Sequence, residues 1–146
     1  MKIIDAKGGS VHADAAPKPV GAYPHAKRAG DLLFLSGIGP RKQDGSIDGL
    51  ELDADGEVLS YDIESQCRSV FTNIDAVLNS AGAQRADLVD ITVFLTDIAR
   101  DFATFNKLYA DYVGPDGPAR TTVEINRLPT PIAIELKCIA RLPESV

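Results

Sequence analysis

Two stretches of the chain carry apolar residues at helical spacing. In residues 62–81 apolar side chains recur every three or four positions, which predicts an amphipathic helix with one face in the core. Ser60 or Asp62 can cap its start, and Gly82 suits the position after its end. The predicted core stripe consists of Ile63, Cys67, Val70, Phe71, Ile74, Val77, Leu78 and Ala81.

A second helix is predicted over residues 102–113, after a lead from Asp97 to Asp101. The sequence Gly-Pro-Asp-Gly at 114–117 ends it and returns the chain to a further strand. The apolar side chains expected to pack inward are Phe105, Leu108, Tyr109 and Tyr112.

Alternating and β-branched segments predict five strands, over residues 20–27, 31–37, 88–95, 121–126 and 132–140. Gly30 suits the turn between the first two. Residues 32–35 are continuously apolar, as in a strand covered on both faces. Two prolines within residues 127–131 separate the last two strands. The order of elements predicts an α+β domain spanning residues 1–146, with two long helices on one face of a mixed sheet.

The remaining segments carry weaker signals. Residues 43–59 are polar and contain two Asp-Gly turns, which predicts a long loop with room for a small hairpin. The carboxylates of this loop lack EF-hand spacing, so a solvated loop is favoured over a calcium site. Residues 1–16 are weakly patterned: residues 2–5 are compatible with a short edge strand, and residues 8–16 are expected to be mobile.

Composition narrows the class of protein. The chain has 146 residues, a net charge of −6 and a pI of about 4.8, which disfavours a nucleic-acid binder because such proteins present a basic face. It lacks an apolar run of the ~20 residues that cross a bilayer and a secretory signal, so a cytoplasmic protein without a membrane partner is expected. Cys67 and Cys138 have no ligand spacing and are predicted to be buried reduced thiols. His12 and His25 do not indicate a zinc site.

The strongest candidate chemistry is an arginine and a glutamate in the last two strands. Arg120 can hold a carboxylate through two hydrogen bonds, and a desolvated Glu135 can move protons. A plain ion pair on a sheet explains the same two residues equally well. The glycines at 37 and 39 leave backbone N–H groups open to an anion, although a strand ending in a turn is the commoner reading.

Three blocks resemble one protein family. They are GAYPHAKRAGDLLFLSG at 21–37, DITVFLTDIARDFATFNKLYADYV at 90–113, and PARTTVE, LP and IELKCIA within 118–140. In this order and spacing they resemble the YjgF/Rid family, the reactive intermediate deaminases. The resemblance implies a chorismate-mutase-like fold, a homotrimer with active sites between subunits, and hydrolysis of enamines and imines without a metal or organic cofactor.

The resemblance also implies residue roles. Arg120 matches the arginine that holds the substrate carboxylate, and Glu135 matches the acid that holds or activates water. Tyr23 matches the tyrosine that lines the pocket. The matches that imply further substrate contacts are Ser36 and Gly37 at the strand end and Asn106 on the second helix.

Two departures indicate a branch of the family. Thr122 stands where the commonest members carry cysteine, so mechanisms built on that thiol do not apply. Tyr23-Pro24-His25 and the following block resemble the 2-aminomuconate deaminases, whose enamine substrate has two carboxylates. A second cationic or hydrogen-bonding group beyond Arg120 would then be useful, and His25, Arg41 and Lys137 are candidates. For His25 a backbone-bonded strand histidine is an equal alternative, and for Arg41 and Lys137 a solvated charge is favoured.

Other assignments remain open at this point. A general deaminase of 2-aminoacrylate and related imines is the alternative within the family. A ribonuclease and a non-catalytic ligand-binding trimer are the alternatives outside deamination. If the last two strands form a simple hairpin, Glu135 lies opposite Val123 and ~10 Å along the ladder from Arg120. A cleft between subunits is then a better place for both groups than one chain.

Overall fold

The computed structural model of the chain describes residues 9–143, which form a mixed sheet with two helices on one face. The strands are β1 (Ser10–Val11), β2 (Ala26–Ala29), β3 (Leu32–Leu35), β4 (Glu51–Leu52), β5 (Val58–Ser60), β6 (Leu88–Leu95), β7 (Ala119–Glu124) and β8 (Ile134–Arg141). The helices are α1 (Ile63–Ser80) and α2 (Ile98–Val113). The main sheet has the order β1-β2-β3-β8-β6-β7, and β4 pairs only with β5. The predicted α+β class and layer arrangement are confirmed.

Both predicted helices are present. The Asp62 side chain accepts a hydrogen bond from the Ser65 N–H at the start of α1, and Gly82 adopts φ +79° just beyond its end. The predicted core stripe of α1 is buried. Helix α2 begins four residues earlier than expected, because Asp97 caps it by accepting from the Arg100 N–H.

The strand prediction was accurate where the apolar signal was continuous. Strand β6 has the predicted bounds, and the loop over residues 43–59 carries the β4–β5 hairpin. Strand β2 begins only at Ala26, although the sequence predicted a strand from residue 20. Prolines at 17, 19 and 24 lack the N–H that a ladder needs, so this part of the chain leaves the sheet.

The prediction that the last two strands form a simple hairpin was wrong. Strands β7 and β8 do not pair with each other, because β6 lies between them and pairs with both. Strand β7 is parallel to β6 because α2 carries the chain back along the sheet before β7 begins. Ile91 is opposite Arg120 and Cys138, whereas Phe94 is opposite Val123 and Glu135.

The two faces of the sheet differ in cover. The face toward the helices carries buried side chains such as Leu33, Leu35 and Leu136. The other face is not covered by any element that the structure describes, and Phe34 and Val123 each keep 36% of their surface exposed there. The prediction that residues 32–35 are covered on both faces is therefore wrong for a single chain.

The beginning of the described chain is better anchored than its composition indicated. Residues 8–16 were expected to be mobile, but Val11, Ala13 and Ala16 are buried, and β1 pairs with β2. Their small apolar side chains fill space at the sheet edge, which the weak pattern did not show. The expected strand at residues 2–5 lies outside the described residues.

Three further expectations can be compared with the structure. Cys67 and Cys138 are buried free thiols, as predicted. Within residues 9–143, no group of His, Cys, Asp and Glu side chains is placed to hold a metal ion. Neither α1 nor α2 has the length and apolar character needed to cross a membrane, and the same holds throughout the described part.

Candidate functional site

A cavity lies where the chain leaves β3 and passes the start of β8. Glu135, the second residue of β8, projects into it, and residues 36–41 form one of its walls. Six of the candidate residues line this cavity: Tyr23, His25, Ser36, Gly37, Arg41 and Glu135. The fold thus brings together residues that lie far apart in the sequence, from Tyr23 to Glu135.

Glu135 has the environment of a proton-transfer group. Burial raises the pKa of its carboxyl above the ordinary value. No side chain within residues 9–143 forms a hydrogen bond or ion pair with that carboxylate. Gly37 makes this arrangement possible, since a Cβ at Gly37 would lie 2.7 Å from Glu135 Oε2. The close approach requires glycine at this position.

Ser36 and Tyr23 are held by local hydrogen bonds. The Ser36 hydroxyl donates to the Pro24 carbonyl at 2.7 Å, so its oxygen still has acceptor capacity. The Tyr23 hydroxyl accepts from the Val20 N–H at 3.3 Å, and Tyr23 is 42% exposed. Both side chains therefore line the cavity in defined orientations.

His25 does not provide the second cation that a dicarboxylate substrate needs. Its Nδ1 accepts from the Ala13 N–H at 3.0 Å, and its Nε2 lies 2.7 Å from the Pro17 carbonyl oxygen. A ring that accepts at Nδ1 and donates at Nε2 is neutral. The alternative of a backbone-bonded histidine is the one that agrees with the structure.

Arg41 differs from the solvated charge that was favoured for it. It is half-buried, lines the cavity, and donates through one terminal nitrogen to the Lys18 carbonyl oxygen. The other donors of its guanidinium have no partner within residues 9–143. Lys137 instead donates to the Leu35 carbonyl oxygen and is not part of the cavity wall.

The sequence analysis missed Asn73. This residue of α1 is only 7% exposed and lines the cavity. Its amide nitrogen donates to the Gly39 carbonyl at 2.9 Å and to the Arg41 carbonyl at 2.8 Å, which fixes the wall formed by residues 36–41. An amide between Phe71 and Ile74 in an otherwise apolar stripe was the available signal.

The other candidates form a second group, on the α2 side of β7. The Arg120 guanidinium carbon lies 4.8 Å from the ring centroid of Tyr109, 5.4 Å from that of Phe105 and 5.8 Å from that of Phe102. Asn106 is exposed on the same helix. Thr122 follows Arg120 by two positions, and its buried hydroxyl has no partner within residues 9–143.

One chain does not bring Arg120 and Glu135 together. Arg120 pairs with Ile91, whose side chain is buried toward the helices, whereas Glu135 pairs with Phe94, which alternates onto the opposite face. The two positions are also separated by roughly 10 Å along the strands and by a further ~10 Å across them. The predicted separation is therefore present, although its cause is the strand order and not the expected hairpin register.

The mixed six-stranded sheet with two helices on one face is the fold that this chain shares with a solved Rid family protein. Residues 13–142 match the family model described as endoribonuclease L-PSP, and the chain belongs to this family, which is the YjgF/Rid family. The resemblance seen in the sequence is thereby confirmed.

Individual relatives agree with this membership. A RutC family protein of Pyrococcus horikoshii is 41% identical over 130 residues, covering 89% of this chain and 94% of the relative. The chloroplastic Reactive Intermediate Deaminase A of Arabidopsis thaliana is 36% identical over 132 residues, covering 90% of this chain and 65% of the relative. The crystal structure of the Rid family protein YyfA from Yersinia pestis superimposes with a TM-score of 0.78 at 34% identity, covering 92% of this chain and 99% of that one.

Proposed function

We propose that the protein is a deaminase that hydrolyses enamines and imines to carbonyl compounds and ammonia. Family membership and the relative named as a reactive intermediate deaminase support this proposal. The single observation that carries it is the half-buried Glu135, which has a raised pKa, lies against Gly37 and lines a cavity. Burial that raises the pKa of a carboxyl group makes its protonated form easier to populate, so the group can give as well as take a proton.

The reaction needs few groups. Protonation of an enamine on carbon gives an imine, water adds to the imine carbon, and the C–N bond then breaks to release ammonia. Glu135 is suited to take the proton from the attacking water, and Arg120 to fix the substrate carboxylate by two hydrogen bonds. Ser36 and Tyr23 complete the polar wall. No step in this scheme requires a metal or an organic cofactor.

We propose that the working enzyme is a homotrimer whose sites lie between copies. The separation of Arg120 and Glu135 within one chain supports this, because a carboxylate-bearing substrate needs both groups. The uncovered face of the sheet supports it as well, since Phe34, Val123 and the half-buried Phe94 are suitable for contact with a second copy. Arg120, Thr122 and Asn106 of one copy would then face the Glu135 cavity of the next.

Within this class we propose 2-aminomuconate as the substrate, with 4-oxalocrotonate (2-hydroxymuconate) and ammonia as products in the cytoplasmic catabolism of aromatic compounds. Arg41 supports a substrate with two carboxylates, because it adds a cationic group to the Glu135 cavity beyond the one that Arg120 supplies. A general deaminase of 2-aminoacrylate and related imines is the competing assignment, and the relative named Reactive Intermediate Deaminase A supports a general deaminase better than the 2-aminomuconate assignment.

Ammonia release by the purified protein, measured with each substrate separately, tests both the reaction class and the substrate assignment. We expect turnover of 2-aminomuconate, and a loss of about 100-fold or more in kcat for Glu135→Gln. Glu57→Gln, which changes an exposed carboxylate of the β4–β5 hairpin, is the matched control and should keep full activity. Turnover of 2-aminoacrylate alone would replace the substrate assignment and leave the reaction class intact.

Two other outcomes would overturn the reaction class. Full ammonia release by Glu135→Gln would exclude the proposed role of the carboxyl group. RNA cleavage that persists in Arg120→Ala through further purification, with no ammonia release from either substrate, would support a ribonuclease instead.

A further inference from the structure

The roof of the Glu135 cavity is a segment without regular secondary structure. Residues 13–23, which we name the strap, cross the cavity between β1 and β2. Ala16, Pro17, Pro19, Val20 and Tyr23 of the strap all line it. The shape of the cavity above Glu135 therefore depends on where the strap lies.

Three side chains hold the strap in place. Within residues 9–143, every hydrogen bond between the strap and the rest of the chain involves the side chain of His25, Arg41 or Gln43. Gln43 donates to the Asp14 carbonyl and Arg41 to the Lys18 carbonyl. His25 forms two of these bonds, to Ala13 and Pro17, and so joins two points of the strap to the start of β2.

We infer that His25, in its neutral form with the proton on Nε2, is the positioning residue that sets the strap over the cavity and thereby sets the affinity for substrate. This inference rests on the proposed function only in taking the Glu135 cavity as the substrate site. Only that tautomer accepts from the Ala13 N–H and donates to the Pro17 carbonyl at the same time. The imidazole acts through the strap, because both of its ring nitrogens are engaged by strap backbone groups.

A further hydrogen bond connects the strap to Arg41, the cationic side chain that lines the cavity. Arg41 uses one terminal nitrogen for the Lys18 carbonyl of the strap, while its side chain lines the cavity. Asn73 fixes the Arg41 backbone through the Arg41 carbonyl. A strap released from His25 would therefore also loosen the guanidinium, and the second carboxylate of a dicarboxylate substrate would lose affinity more than the first.

Two substitutions test the two hydrogen bonds of His25 one at a time, because each variant removes one bond and keeps the other. In His25→Asn the side-chain oxygen can still accept from Ala13 but cannot reach Pro17. In His25→Gln the amide nitrogen can still donate to Pro17, while the acceptor for Ala13 is lost. His12→Gln is the matched control, because His12 is exposed and its side chain forms no hydrogen bond to the strap within residues 9–143; its ring lies 6.5 Å from that of His25.

Hydrogen exchange and imidazole ¹⁵N spectra test the inference without any assay of activity. We expect the ¹⁵N spectrum of the parent protein to show that His25 carries a proton at Nε2 only. Strap amides should exchange about tenfold faster in both His25 variants than in His12→Gln, in line with the loss of one hydrogen bond. A proton on Nδ1, or unchanged exchange in both variants, would overturn the inference.

Steady-state kinetics test the link to substrate. Both His25 variants should raise KM for 2-aminomuconate by about three- to tenfold and change kcat less than twofold. Faster strap exchange with an unchanged KM would overturn the link between strap and affinity. If neither the parent protein nor any variant releases ammonia, the proposed function fails. The hydrogen-exchange and ¹⁵N results still decide the role of His25 in that case.

Discussion

At the scale of single residues, the candidate site depends on close approaches that only particular side chains allow. Because Gly37 lacks a β-carbon, the Glu135 carboxylate can lie within 2.7 Å of the position that a β-carbon would occupy. Within residues 9–143, Arg120 packs against ring faces and pairs with no carboxylate, which leaves its hydrogen-bonding donors available to a ligand. Within the described chain, neither the Glu135 carboxylate nor the Arg120 guanidinium forms a hydrogen bond or an ion pair, as expected of residues that interact with a substrate.

Gly37→Ala should damage catalysis without unfolding the protein. The new methyl group would displace the flexible end of Glu135 and not the backbone, because the atoms it meets belong to that carboxylate. We expect kcat for ammonia release to fall at least tenfold, equivalent to ~1.4 kcal/mol, with a melting temperature within a few degrees of the parent. Parent-like kcat in Gly37→Ala would show that the position of the Glu135 carboxylate does not matter.

At the scale of elements, the sequence was informative wherever structure is local. The apolar stripe of α1 and the β-branched run of β6 were readable because each reflects burial within one element. The order of β6, β7 and β8 was not readable, since strand pairing is a non-local choice among several compatible partners. Asn73 and the strap were missed for the same reason, because their partners lie far away in sequence.

The same limit applies to the candidate site. Glu135 and Arg120 were recognised from local motifs, but their placement on opposite faces follows only from the sheet order. His25 was recognised as a departure from the main branch, and its role became visible only with its backbone partners. Residue identity and the separation of Arg120 from Glu135 were thus accessible from the sequence, and the strand order that places them on opposite faces was not.

Asp101 in the first turn of α2 gives a test of stability at the element scale. Its side chain is fully buried, accepts a hydrogen bond from the Tyr61 hydroxyl, and has a pKa that burial raises above the usual range. Because the folded-state pKa lies above the unfolded one, its contribution to the free energy of unfolding is present at acidic pH. That contribution is lost as the pH rises through the folded-state value.

Asp101→Asn should remove this pH dependence while keeping an acceptor for Tyr61. In urea titrations, we expect the free energy of unfolding of the parent, relative to the variant, to decrease between pH 4 and pH 7. The decrease should be ~1.4 kcal/mol for every tenfold difference between the acid dissociation constants of the folded and unfolded states. Glu64→Gln, which removes an exposed ion pair with Arg68, is the control and should change stability by less than about 1 kcal/mol. A constant difference between parent and Asp101→Asn across this range would contradict the prediction.

At the scale of the whole molecule, the proposed trimer requires each chain to supply two half-sites, and the two groups of candidate residues lie apart in one chain. The cavity half contains Glu135 with Ser36 and Arg41, and the β7 half contains Arg120 with Thr122. The uncovered sheet face and the edge position of β7 leave both halves accessible to neighbouring copies. A cyclic trimer would join each cavity half to the β7 half of the next copy and so form three equivalent sites.

Mixed trimers test this claim most directly. Glu135→Gln and Arg120→Ala chains, each inactive alone, can be coexpressed with different affinity tags and purified through both tags. In a trimer with shared sites, either mixed composition contains one site in which both residues are intact, so we predict about one third of the parent ammonia-release rate. Mixed trimers with no activity above that of the single variants would contradict a site shared between copies.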